Sequence, residues 1–395
     1  MPGLRERLCM LRTLAVIGVA LFTAGAARAD TPAVPAVAAV DEAVDRLMAH
    51  TGARGMALAV IADGEVRYVR TYGVRNAAGA PLEPDTVMYG ASLTKLVFAC
   101  TVMQLVDAGR LDLNTPLADL MEKPLPEYPF YAALADDPRW RTITPRMALT
   151  HSTGFANFAF LEPDRKLRIH FSPGSRYAYS GEGLLLLQFA IENGRRERGL
   201  GVPLGDLTNR YLGKLGLTRT SLQWRDDFAA NLADGWNDRG EPQPHDQRSR
   251  VRAAGSMDTT IRDLARFAAA LMKGEALSPA ARAELVRPQL AITTAHQFPT
   301  LLPELPPAER RPDLQAGLGC VVFDGPQGRG FYKGGHDGQT ANTMVFLEQG
   351  RRAVVILSND VRAEAGFAEL IRLILGETGV PYDWEYGDQA GRSNG

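Results

Sequence analysis

A serine and a lysine three positions apart, Ser92 and Lys95, have the residue types and the spacing of a nucleophile and its base. Positions three apart share one face of a helix, so a helix that begins near Ser92 sets the Lys95 amine beside the Ser92 hydroxyl. A lysine accepts a hydroxyl proton only where burial or nearby positive charge lowers its pKa. The pattern alone is weak, because a capping serine followed by a solvated lysine is the commoner reason for it.

The segment that follows supplies the dry setting that such a lysine requires. Leu96 to Val106 contains no charged side chain, and Gly109 follows as a C-cap. This composition predicts a helix buried on most sides rather than a surface amphipath.

The two ends of the chain predict the sheet that positions this helix. Asp63-Gly64 separates two strand-like runs, residues 56–62 and 65–72, and predicts a hairpin. Strand-like runs return after residue 315, before a final helix. We expect an α+β fold whose antiparallel sheet is built from both chain ends and flanked by helices. The folded domain is predicted within 30–380, with a sheet lobe at about 38–90 plus 315–376 and a largely helical lobe at about 91–314, followed by a polar tail at 381–395.

The N-terminus predicts export. Arg5, Arg7 and Arg12 precede the charge-free stretch from Thr13 to Ala27, and Ala27-Arg28-Ala29 fits a signal-peptidase site. Residues 1–29 are therefore interpreted as a signal peptide, which predicts a periplasmic or secreted protein; an uncleaved N-terminal anchor is the alternative. No later segment is long and apolar enough to span a membrane.

Composition excludes several function classes. The 395 residues are 45% hydrophobic and 23% charged, as in soluble globular proteins. Removal of residues 1–29 takes away four Arg and one Glu, which changes the net charge from −1 to −4. The chain has no basic stripe interleaved with aromatics, so nucleic acid is not an expected partner. It has no phosphate loop and no metal-spaced cluster, so no cofactor or metal is expected.

Cys100 and Cys320 lie in apolar runs and are predicted to be buried free thiols. The oligomeric state does not follow from the sequence.

Two further residues, His151 and Tyr179, are candidates for an active-site cleft. His151 ends a short predicted helix, where a turn-capping role is favoured over that of a catalytic base. Tyr179 stands at a loop-to-helix junction that can direct its hydroxyl into a cleft; an ordinary packed tyrosine is the alternative.

These stretches together carry a resemblance. The chain resembles the serine β-lactamase and penicillin-binding protein superfamily, especially the class C-like branch that also holds D-amino-acid peptidases and esterases. Its boxes are Ser-x-x-Lys, Tyr-x-Asn, and Lys-Thr-Gly or His-x-Gly. They match Ser92-Leu93-Thr94-Lys95, Tyr179-Ser180-Gly181 and His336-Asp337-Gly338. The likeness covers roughly residues 38 to 376, and the order of the boxes is far more specific than any one of them.

The resemblance implies a role for each matched residue. Ser92 would be acylated by an ester or amide, with Lys95 and Tyr179 acting as a coupled base pair. The backbone N–H groups of Ser92 and Gln339 would form the oxyanion hole. Substrate-binding positions would be His336, Gly338 and Gly181.

Two departures from the family pattern bear on the substrate, which the resemblance implies to be a small molecule or a peptide. Gly181 replaces the Asn of the second box, and His336 replaces the lysine of the third. Lys333 is expected on the opposite strand face from His336, because side chains alternate along a strand. Both departures favour a peptidase or esterase over an efficient β-lactamase. A catalytically weak ligand-binding or scaffold protein of the same fold is the alternative function.

Overall fold

The computed structural model describes residues 32–387. The predicted signal peptide lies outside the described residues. Within residues 32–387, no helix combines the length and apolar character needed to cross a membrane.

The strands of the described part follow the two chain ends. They are β1 Gly55–Ala62, β2 Glu65–Gly73, β3 Met88–Tyr89, β4 Gly235–Trp236, β5 Pro242–Gln243, β6 Asp258–Thr259, β7 Leu290–Ala291, β8 Leu314–Ala316, β9 Val321–Gly325, β10 Gly328–His336, β11 Ala341–Leu347 and β12 Arg352–Ser358.

Eight of these strands form one sheet in the order β2-β1-β12-β11-β10-β9-β8-β7, and every neighbouring pair is antiparallel. The predicted hairpin is present, with positive φ at both Asp63 and Gly64. The sheet therefore combines both chain ends, and the predicted fold class is confirmed. The predicted lobe boundary near 314 is wrong, because β7 already joins the sheet at Leu290.

The helices of the described residues are α1 Val37–Thr51, α2 Thr94–Asp107, α3 Leu117–Leu120, α4 Pro145–Leu149, α5 Gly181–Asn193, α6 Leu204–Lys214, α7 Ile261–Lys273, α8 Pro279–Leu285, α9 Phe367–Leu375 and α10 Tyr382–Tyr386. Most of them lie in the middle of the chain, and α1, α9 and α10 lie near its two ends.

Strand β1 shows how the sheet separates two cores. All eight of its residues are buried, and alternate side chains enter opposite clusters. Ala57, Ala59 and Ile61 pack with α2 and α7, whereas Met56, Leu58 and Val60 pack with α1 and α9. Helix α2 is apolar around its circumference, as predicted from its sequence. Cys100 lies within it, and both Cys100 and Cys320 are free and buried, as predicted.

The C-terminal prediction needs correction. The sequence predicts residues 381–387 to be part of a polar tail outside the domain, yet Trp384 is only 1% exposed and Tyr382 and Glu385 are also buried. The Trp384 indole N–H donates to the carbonyl of Thr294 at 3.1 Å. Local polarity misled the prediction, because the indole is buried against a segment ninety residues earlier. The folded domain therefore extends at least to Gly387.

Candidate active site

Ser92 lies in a tight turn that is held by two hydrogen bonds to Met257. The turn is a 3₁₀ helix, Ala91–Leu93, which leads directly into α2. Ala91 has φ 45°, in the left-handed region that few non-glycine residues adopt. The Gly90 N–H donates to the carbonyl of Met257 at 2.8 Å, and the Thr94 hydroxyl accepts from the Met257 N–H at 3.1 Å. These bonds fix the direction of the Ser92 side chain.

Lys95 is placed as the spacing predicts. Its Nζ lies 2.9 Å from Ser92 Oγ, and it also donates to the carbonyl of Ala254. The side chain is 1% exposed. Burial lowers the pKa of Lys95 well below its ordinary value, and the positive charge of Lys333 lowers it further. A neutral amine beside a serine hydroxyl can accept its proton.

Tyr179 reaches the same oxygen from a distant part of the chain. Its hydroxyl lies 2.9 Å from Ser92 Oγ, and Lys95 Nζ is 4.9 Å from the centre of its ring. Burial raises the pKa of Tyr179, and the hydrogen bond to Ser92 only partly offsets this. The hydroxyl is therefore protonated when the site is at rest. The structure brings together the three groups that the sequence suggested as nucleophile and base.

His151 supports this arrangement without taking part in it. Its ring is 4.5 Å from the Tyr179 ring, its Nδ1 accepts from the Ser180 N–H at 3.1 Å, and its carbonyl accepts from the Ala178 N–H. Burial lowers the pKa of His151 well below its ordinary value, and the charges of Lys95 and Lys333 add to the effect. A neutral imidazole thus anchors the loop that carries Tyr179, which agrees with the structural role favoured from the sequence.

Lys333 lines the Ser92 pocket although side-chain alternation along β10 sets it on the opposite strand face from His336. It is 5% exposed, it lines the same pocket as Ser92 and His336, and its Nζ is 5.3 Å from the centre of the Tyr179 ring. Its Nζ also donates to the carbonyl of Gly334 at 2.6 Å. Both side chains line one pocket despite this alternation, because the pocket wraps around the end of β10. The site therefore retains a lysine facing the nucleophile.

The packing of β10 favours residues 333–335 as the third box, three residues before the predicted stretch at 336–338. A Cβ on Gly335 would lie 2.8 Å from the Gly90 carbonyl oxygen and 3.0 Å from the Leu93 nitrogen, so β10 needs a glycine there to pack against the Ser92 turn. A Cβ on Gly338 would meet nothing within 4 Å. Lys333-Gly334-Gly335 has the lysine and the glycine at the spacing of Lys-Thr-Gly. That signal was present in the sequence.

Gln339 is not positioned as an oxyanion donor. Its N–H is already donated to Asp337 Oδ1 at 2.9 Å, and its side chain packs against Gly235, outside the lining of the Ser92 pocket. The predicted pairing of Ser92 with Gln339 is therefore wrong. It rested on the misplaced third box.

The register of β10 provides another donor. The Asp337 N–H donates to the carbonyl of Thr340 in the turn to β11, and backbone groups of successive residues in an antiparallel strand point to opposite sides. Gly334 and His336 consequently point away from β11. Pairing with β9 ends at Tyr332, so this edge is open beyond it. The His336 N–H faces that open edge.

The His336 side chain forms an ion pair at the pocket. Its Nδ1 lies 2.9 Å from Glu364 Oε2, and both residues line the pocket. Burial alone would lower the pKa of His336, but the Glu364 carboxylate raises it above its ordinary value. The imidazole is therefore more readily charged than an isolated histidine.

The missing asparagine at position 181 has a structural counterpart. The Gly181 N–H donates to the side-chain oxygen of Asn157 at 3.0 Å, and Asn157 lines the pocket. A Cβ on Gly181 would lie 2.5 Å from the Phe158 ring. The position of the absent side chain is thus occupied by Phe158, and a carboxamide reaches the pocket from the neighbouring residue.

The pocket that contains these groups has a volume of about 680 Å³. Its lining includes Ser92, Lys95, Tyr179 and Lys333. Its wall includes the carboxylates of Glu364 and Glu385 and several aromatic side chains. Among residues 32–387, no group of three or more His, Cys, Asp or Glu side chains is arranged to hold a metal ion.

Comparison with known proteins agrees with this geometry. Residues 40–378 match the family profile described as Beta-lactamase. The chain belongs to the beta-lactamase family. It is 33% identical over 166 residues to the D-alanyl-D-alanine-carboxypeptidase/endopeptidase AmpH of Escherichia coli K12, a match that covers 39% of this chain and 42% of that protein. It is 28% identical over 205 residues to the lovastatin esterase of Penicillium rubens, covering 44% of this chain and 50% of that protein.

The fold is shared more widely than these sequences. The octameric penicillin-binding protein homologue from Pyrococcus abyssi superposes with a TM-score of 0.69 at 19% identity, covering 88% of this chain and 79% of that one. The matches span between 30% and 63% of the length of the first four curated relatives. This member of the beta-lactamase family thus belongs to a group of serine hydrolases with peptidase and esterase relatives.

Proposed function

We propose that the chain is an exported serine hydrolase that forms an acyl-enzyme through Ser92 on an ester or amide. The observation that carries the proposal is that Lys95 Nζ and the Tyr179 hydroxyl both lie 2.9 Å from Ser92 Oγ. A hydroxyl oxygen with two such neighbours can lose a proton to one of them and relay a proton through the other.

The charge states assign the two roles. Lys95, whose pKa is lowered, is the neutral base that takes the Ser92 proton as Oγ attacks the carbonyl carbon. Tyr179, whose pKa is raised, stays protonated and passes a proton to the leaving group as the tetrahedral intermediate collapses. Lys95 then restores the Tyr179 proton. Water attacks the acyl-enzyme by the same route in reverse, and Ser92 Oγ leaves with its proton.

The oxyanion of the tetrahedral intermediate needs hydrogen-bond donors, and the register of β10 leaves one backbone N–H available for this role. We assign this role to the backbone N–H groups of Ser92 and His336, since the latter faces the open edge of β10 beside the Ser92 turn. Removal of one such donor costs on the order of 100-fold or more in rate.

The pocket contains a lysine that bears on the substrate preference. Lys333 lies in the pocket, so the cation facing a substrate carboxylate is retained, and Asn157 places a carboxamide beside position 181. We therefore propose a hydrolase of esters or amides, which includes peptides, without assigning a physiological substrate.

Covalent labelling tests the proposal. The wild-type protein is expected to gain the mass of one fluorophosphonate adduct, and Ser92→Ala is expected to gain none. Ser175→Ala, which changes an exposed serine, is the matched control and should label as the wild type does. Undiminished labelling of Ser92→Ala would overturn the assignment. Ligand-dependent stabilisation without turnover of any ester, amide or β-lactam would favour a binding protein instead.

A further inference from the structure

The mouth of the Ser92 pocket is aromatic and open to solvent. Phe160 is 61% exposed and Phe298 is 47% exposed, and both line the pocket together with Phe158. Phe158 and Phe160 are stacked, with ring centres 5.2 Å apart and an angle of 9° between the planes. We call these three residues the aromatic entrance.

The aromatic entrance is held in place by the catalytic loops. Phe298 meets the Tyr179 ring edge-on at 5.3 Å. On the other side, Ala159 separates Phe158 from Phe160 in the sequence, and its N–H donates to the buried Glu182 carboxylate at 2.9 Å. Both parts are therefore fixed to the segment that carries the second box.

Gly181 explains why Phe158 lies where it does. A Cβ at this position would be 2.5 Å from Phe158 Cε1 and 2.7 Å from its Cζ, distances that side-chain atoms do not adopt. An asparagine at 181, as in the family's second box, would force the ring away. The glycine thus makes room for an aromatic wall, and Phe160 stacks on that wall.

An exposed aromatic pair beside polar groups is typical of a site that covers an apolar group of its ligand. Large exposed apolar side chains leave unfavourable surface in water, and a bound apolar group removes that surface from water. Pocket specificity commonly combines apolar walls with a few convergent polar groups. Here Ser92, Lys95 and Lys333 are the polar groups, and the aromatic entrance is the apolar wall.

We propose that the aromatic entrance selects substrates in which an aromatic or long aliphatic group flanks the scissile ester or amide, and that Gly181 is the residue that permits this selection. The inference rests on the proposed function, because it concerns what Ser92 acylates. It assigns to the glycine a role in specificity rather than a loss of catalytic capacity.

The test measures kcat/KM for p-nitrophenyl acetate, butyrate, octanoate and phenylacetate. In the wild type, the value for the octanoate and phenylacetate esters is expected to exceed that for acetate. Phe160→Ser is expected to lower this ratio about ten-fold, since one lost apolar contact in a specificity pocket is worth roughly that much. Phe130→Ser is the matched control, because Phe130 is 58% exposed and does not line the pocket; it should leave the ratio unchanged.

A second variant tests the role of the glycine. Gly181→Asn should lower the ratio by displacing Phe158, and adding Phe158→Ala should give little further loss, because the ring is already displaced. An unchanged ratio in both Phe160→Ser and Gly181→Asn would overturn the inference. Circular dichroism and the thermal midpoint identify a variant that has failed to fold, and Phe160, being exposed, tolerates replacement.

The two proposals fail in different ways. Wild-type protein that never acylates Ser92 with any ester or amide contradicts the proposed function. Wild-type protein that acylates Ser92 at rates independent of acyl length keeps the proposed function and contradicts the aromatic selection.

Discussion

Replacement of Lys333 by Met should shift the pH dependence of catalysis to higher pH. The proposed base is Lys95, which must be neutral, so kcat/KM falls as the pH decreases through the pKa of Lys95. Burial lowers that pKa first, and the Lys333 charge adds to the effect. Removing a positive neighbour makes protonation of Lys95 easier, so its pKa must rise.

The structure bounds the size of the shift. Lys95 Nζ is 4.9 Å and Lys333 Nζ is 5.3 Å from the centre of the Tyr179 ring, so the two nitrogens are at most about 10 Å apart. Two unit charges at that distance interact by about 1.7 kcal/mol at an effective dielectric constant of about 20. This corresponds to at least about one pKa unit.

The assay is the pH profile of kcat/KM for one p-nitrophenyl ester in the wild type, Lys333→Met and Lys214→Met. Lys214 is exposed on α6, so its variant should retain the wild-type profile. The acid limb of Lys333→Met should move upward by about one unit or more. An acid limb that stays in place or moves downward would refute the view that Lys333 holds Lys95 neutral.

Three other predictions concern the third box, the relay and the C-terminus. Gly335→Ala should reduce kcat/KM by at least about ten-fold, because its Cβ collides with the Gly90 carbonyl and a small misplacement of a reacting group is costly. Gly338→Ala should be tolerated. If instead Gly338→Ala lowered kcat/KM more than Gly335→Ala did, the third box would be His336-Asp337-Gly338. Tyr179→Phe keeps the ring contacts and should lower kcat by roughly 10²- to 10⁴-fold; wild-type rates would remove the hydroxyl from the mechanism. Trp384→Ala should lower the free energy of unfolding, measured in urea, by about 3–5 kcal/mol. A loss below about 1 kcal/mol, as is usual at surface sites, would show that residues 381–387 are a tail that does not contribute to the fold.

The sequence predicted the features that depend on local pattern. The hairpin at Asp63-Gly64, the buried helix after Lys95 and the sheet drawn from both chain ends follow from turn chemistry and apolar spacing. The meeting of Ser92, Lys95 and Tyr179 came from box order, which encodes a tertiary arrangement that no single segment specifies.

The errors arose where tertiary contacts decide. Two overlapping stretches, at 333–335 and 336–338, both fit the third box, and only the packing of Gly335 against the Ser92 turn distinguishes them. Lys333 and His336 both line the Ser92 pocket, because the edge of β10 is open there, although strand alternation predicts that their side chains point to opposite faces. Residues 381–387 looked polar locally, but Trp384 is buried against a segment far away along the chain.

Intact-mass spectrometry of the protein with p-nitrophenyl octanoate under single-turnover conditions tests the central claim most directly. We expect a transient gain of one octanoyl group that peptide mapping locates on Ser92, with no gain in Ser92→Ala. Ester hydrolysis at wild-type rates by Ser92→Ala, or an acyl group mapped to another residue, would contradict the account.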